Sequence, residues 1–221
     1  MDRIIHNSIF SLDKVYLRYR WLGDVYINDY QLFTIFWNLI LALTPLALYF
    51  ILRKYAAETR LAGLGQKIIA IVLFFVWLLF FPNTAYIITD VRHLLNYCPA
   101  DSPFKVCEEN AWMIMLFFTY SSLGWISFYY LLKQMAKLAG EIFSRFISRV
   151  FIALAIPVTA LGVLVGLFNR FNSLDAILFP VQFIKVIGLY FSDINYFLNW
   201  LIFTVFLYLL YLAGDVIFRK V

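Results

Sequence analysis

Phe81-Pro82-Asn83-Thr84-Ala85-Tyr86-Ile87-Ile88-Thr89-Asp90-Val91-Arg92-His93 closes an apolar run that begins at Ile68. It puts polar side chains where lipid is expected. At about 100° per residue, Asn83, Tyr86, Asp90 and His93 share one helical face. Pro82 removes a backbone donor and frees the carbonyl four residues back, so the spacing predicts a kink there. A kink beside an intramembrane Asn is costly unless other groups bond to both. The stretch therefore marks a site before it suggests any reaction.

The surrounding chain sets the class. It has 221 residues, 64% hydrophobic and 20% aromatic, with only 14% charged, and a mean hydropathy of +0.83. A soluble domain of this size needs more charge to cover its surface. The fold class expected is all-α, a polytopic membrane protein with five transmembrane helices over about 34–52, 68–89, 112–132, 150–168 and 198–214. None of these runs holds Lys, Arg, Asp or Glu, and each is long enough to cross or nearly cross a bilayer. Residues 174–191 are apolar but interrupted by Asp175, Pro180, Gln182 and Lys185. They read as a re-entrant or interfacial segment broken near Pro180. Residues 1–33 form a tail whose Leu12, Val15, Tyr16, Tyr19 and Leu22 would share the face of an interfacial amphipathic helix, a loose tail being the alternative. Residues 34–221 form a single transmembrane domain.

Orientation follows from the loops. Loops 53–67 and 133–149 carry four Lys or Arg each, while 90–111 and 169–197 carry two each. With Arg219 and Lys220, the excess places the C-terminus in the cytoplasm and the N-terminus outside, the four Lys and Arg of the tail being balanced by its four Asp. The formal charge of +5 is then topological signal, and nucleic acid is not an expected partner. Membrane lipids are. Cys98 and Cys107 fall in one outer loop, with a spacing that suits a small disulfide, two inert thiols being the alternative. Gly162 and Gly166 have a small-xxx-small spacing that would let a second copy or a partner span approach.

Several side chains gather at the outer level in this topology. Asp90 and His93, three apart, can ligate a divalent metal if Asp175 joins as third ligand or base. Asn38, Asn83, Tyr86, Arg170 and Asn172 are the candidate ligand-binding residues. Each has a structural reading too. Asn83 can bond the carbonyl that Pro82 frees, Ser173 can cap the helix after it, and Arg170 can close a helix C-terminus or meet a lipid phosphate. No P-loop, G-x-S-x-G, H-E-x-x-H or G-x-G-x-x-G fingerprint is present. Three expectations remain side by side. The site takes a divalent cation, or it takes an anionic lipid or envelope headgroup with a hydrolytic role attached to either, or the protein is a non-enzymatic scaffold.

Two segments together, Phe81 to Asp90 with His93-Leu94 and Gly166-Leu167-Phe168-Asn169-Arg170-Phe171-Asn172-Ser173-Leu174-Asp175, carry a likeness. With Trp37-Asn38-Leu39 to Pro45, the chain resembles an uncharacterised family of bacterial integral membrane proteins known as domain of unknown function 1361. The likeness covers roughly residues 34–215. It implies a multi-span membrane protein and brings no activity, substrate or cofactor.

Overall fold

The computed structural model describes residues 26–27, 30–96, 112–171 and 173–218. The expected interfacial helix, Asn172, and both cysteines lie outside these residues. Eight α-helices follow a two-residue antiparallel pairing, Tyr26–Ile27 with Tyr30–Gln31. They are α1 (Leu32–Thr59), α2 (Leu64–Phe80), α3 (Pro82–Tyr86), α4 (Trp112–Ile142), α5 (Arg145–Asn169), α6 (Ser173–Leu178), α7 (Pro180–Ser192) and α8 (Ile194–Ile217). A 3-10 helix, Ile87–Asn96, continues directly from α3.

The fold is all-α, and five helices are long and apolar enough to cross a membrane: Phe33–Thr59, Leu64–Arg92, Trp112–Ile142, Arg145–Asn169 and Ile194–Ile217. The protein is a multi-pass membrane protein. Two spans overrun their apolar runs, α1 to Thr59 and α4 to Ile142. Charged pairs four residues apart, Lys54 with Glu58 and Lys137 with Glu141, carry those overhangs as solvated helix. α6 and α7 meet at Phe179, whose extended φ of −130° breaks the helix just before Pro180. At about 20 Å, α7 is too short to cross a bilayer alone.

In lipid the apolar effect does not draw helices together, so contact comes from close packing and polar links. The kink segment α3 lies at the centre, touching α1, α4 and α5. Phe81, Thr84 and Ala85 are completely buried. An aromatic column crosses the bundle there, with Trp77 stacked on Phe81 at 4.4 Å and Phe81 on Phe128 at 5.7 Å. Glycines allow the approach. A Cβ at Gly124 would sit 2.9 Å from the Thr84 carbonyl oxygen. Large apolar side chains such as Phe36, Phe118, Leu154 and Ile202 face outward, as lipid contact requires.

Candidate functional site

Pro82 divides the second span, and the break leaves carbonyls near the end of α2 without helical donors. Side chains replace them. Asn83 donates from Nδ2 to the Phe80 carbonyl at 2.8 Å and to Ser173 Oγ at 3.0 Å. Ser173 in turn donates to the Leu79 carbonyl at 2.9 Å. The carbonyl freed by Pro82 is that of Leu78, where Asn83 is expected to bond; it bonds the Phe80 carbonyl instead, two residues closer to the kink. Ser173 departs from the capping role expected of it: it lies inside α6 and uses its hydroxyl to tie that helix to the kink.

The expected four-residue stripe divides at Ile87. There the chain passes from α-helix to 3-10 helix, so each residue turns by about 120° rather than 100°. Asn83 and Tyr86 face a cavity, whereas Asp90 turns into the bundle, only 1% exposed. Asn38 donates from Nδ2 to Asp90 Oδ2 at 3.2 Å, and Tyr120 and Arg92 lie close enough to act on the same carboxyl. Asp90 thus sits between α1 and α4. For His93 the backbone lies in the 3-10 helix, and its side chain lies outside the description. Among the described residues, no three His, Cys, Asp or Glu side chains converge on one point. A divalent metal at Asp90 and Asp175 would need His93 to complete it. Asp175 is buried in the first turn of α6.

The cavity has a volume of about 370 Å³. Its lining includes the polar residues Asn38, Asn83, Tyr86, Arg170 and Ser173, of which Asn83 and Ser173 are directly hydrogen-bonded. All four ligand-binding candidates among the described residues, Asn38, Asn83, Tyr86 and Arg170, line this cavity, with Ser173 added by the structure. The remaining wall is apolar and includes Leu78, Val158, Leu161 and Phe183. Phe75 and Val158 also line it and are 61% and 45% exposed, so the cavity opens sideways toward lipid. Sequence reasoning missed this wall and Trp37, because one more apolar residue carries no signal in a chain this apolar.

Arg170 follows α5 in the left-handed conformation, φ 60° and ψ 26°. That region is uncommon for a residue with a long side chain. Its exposed guanidinium has no ion-pair or hydrogen-bond partner among the described residues. Gly162 and Gly166 supply the room beside it. A Cβ at Gly162 would meet Pro82 Cγ at 2.6 Å, and one at Gly166 would meet Tyr86 Cε2 at 3.4 Å. The glycine stripe expected to admit a partner span is taken within this chain by Pro82 and Tyr86.

A family model described as "Protein of unknown function (DUF1361)" matches residues 37–212. The chain belongs to that family. The match spans both polar segments and all five spans, so the DUF1361 core includes the cavity. No curated protein and no solved structure matches the chain.

Proposed function

We propose that this DUF1361 protein binds an anionic amphiphile, its charged head beside Arg170 and its chain along the apolar wall. The observation behind this reading is that Arg170, with no ion-pair or hydrogen-bond partner among the described residues, lines a 370 Å³ cavity whose wall includes exposed apolar side chains. A guanidinium matches the planar oxygen pairs of phosphate or carboxylate with two parallel hydrogen bonds. The volume falls in the range of small-molecule sites, room for a head and the first part of a chain. The Lys and Arg excess puts Arg170 at the outer face of a bacterial plasma membrane. Hydrolysis about a divalent metal held by Asp90, His93 and Asp175 remains a separate proposal. The geometry supports binding further than catalysis.

The test is native mass spectrometry of protein in mixed micelles containing phosphatidylglycerol or phosphatidylcholine. Wild type should retain phosphatidylglycerol, and Arg170→Gln should lower that retention roughly tenfold, as the loss of a charge-assisted hydrogen bond implies. Equal retention of both lipids, unmoved by the variant, would leave the scaffold reading.

A further inference from the structure

The polar lining of the cavity is not a plain anion site. Asn83 uses its amide nitrogen on the Phe80 carbonyl and on Ser173 Oγ. Which way its amide faces follows from the partners. A carbonyl oxygen only accepts, so the NH2 must face Phe80. Ser173 spends its single proton on the Leu79 carbonyl, so its oxygen must accept from Asn83. Both amide hydrogens of Asn83 are consumed, and its Oδ1 is the polar atom left for a ligand. Ser173 likewise offers only a remaining lone pair. Arg170 offers only donors. The cavity is therefore lined by two residues with only acceptor capacity to spare and by a cation with only donors.

We infer that the head taken here carries hydrogen-bond donors as well as negative charge: a hydroxylated phosphodiester lipid rather than a bare or alkylated phosphate. The inference rests on the amphiphile reading above. An acceptor facing a head without donors is stripped of water and left unpaired, which costs affinity. A head hydroxyl pairs with it. Tyr86, whose hydroxyl can give or accept, fits either head and does not discriminate.

Phosphatidylglycerol and phosphatidylpropanol with identical chains separate the terms. Both carry one negative phosphodiester, and only the first carries hydroxyls. Binding in mixed micelles should favour phosphatidylglycerol roughly fivefold, the ratio about one net hydrogen bond supports. Ser173→Ala leaves Asn83 Oδ1 in place, because the Phe80 carbonyl still holds the NH2 side, so the preference should shrink only in part. Asn83→Leu removes that oxygen and should bring the ratio toward unity for whatever lipid is still bound. Equal binding of both anionic lipids, above phosphatidylcholine and weakened by Arg170→Gln, would overturn the donor requirement while the amphiphile reading stands. A preference undiminished in Asn83→Leu would also overturn it, since the acceptor would lie elsewhere. Neither lipid binding above phosphatidylcholine would overturn both.

Discussion

The two ends of this bundle treat polar groups in opposite ways. At the Lys- and Arg-rich end, Lys133 reaches Asp215 Oδ1 at 3.0 Å and donates to the Tyr129 hydroxyl at 2.6 Å. Tyr129 donates in turn to Asp215 at 3.3 Å. Arg53 donates to Tyr49, which donates to Gln134. Gly214 lets α8 close on this cluster, since a Cβ there would lie 2.6 Å from the Tyr129 ring. Within this cluster Lys133 and Asp215 are paired with each other and with the Tyr129 hydroxyl. At the Arg170 end a guanidinium borders a cavity, while Asn83 and Ser173, which line the same cavity, have their donors committed to the kink and keep only acceptor capacity. The lesson is that charge density is a poor guide to function here. The end with fewer ions holds the group left for a ligand.

The sharpest way to break this contrast is at Asn83. Asn83→Leu removes two hydrogen bonds from a helix break that has no backbone alternative. Polar links between membrane helices average well under 1 kcal/mol, because partners are also found in the unfolded state. A kink carbonyl has a poorer choice, so a loss of about 1–3 kcal/mol is expected. Thermal melting in detergent, followed by tryptophan fluorescence, should show it as a clear drop, together with weaker amphiphile binding. An unchanged melting curve would mean the network does not hold the kink.

Next comes the glycine pair. Gly162→Ala drives a methyl to 2.6 Å from Pro82 Cγ, whereas Gly166→Ala places one at an ordinary 3.4 Å from Tyr86 and Phe171. Overpacking of a ring held by the chain costs about 1–3 kcal/mol, so the first variant should melt earlier and the second should stay close to wild type. Equal melting of the two would show that α5 can shift away from Pro82.

Much of this was legible in the sequence, for reasons that also explain the rest. The five spans read directly because lipid demands long runs free of Lys, Arg, Asp and Glu, and those runs are uninterrupted. Pro82 and Pro180 read as breaks because a missing donor acts locally. Asn83, Tyr86 and Arg170 stood out as polar residues in or beside such runs, and they do meet. Asp90 was grouped with Asn83 and Tyr86 on a period of 3.6, but the chain winds more tightly after Tyr86, and nothing in Ile87-Ile88-Thr89 announces the change. Ser173 was visible as polar beside a helix start, but a bond to a carbonyl 94 residues away has no local signature. The overhanging turns of α1 and α4 extend past the hydropathy signal because solvated helix is held by charge spacing, not by apolarity.

The smallest expected effect belongs to the most conspicuous ion pair. Lys133 and Asp215 are 41% and 32% exposed as side chains, so water screens them, and pairs of this kind are worth less than about 1 kcal/mol. Lys133→Met keeps much of the apolar stem, removes the ammonium that lies over the Tyr129 ring, and leaves Asp215 with the Tyr129 hydroxyl. Melting should move only slightly, and retention of phosphatidylglycerol should not move at all, because the cavity lies toward the opposite end of the spans. A fall in retention comparable with that of Arg170→Gln would mean the two ends are coupled through α4 or α8. The contrast between a closed polar cluster and an open one would then have to give way to a single connected network.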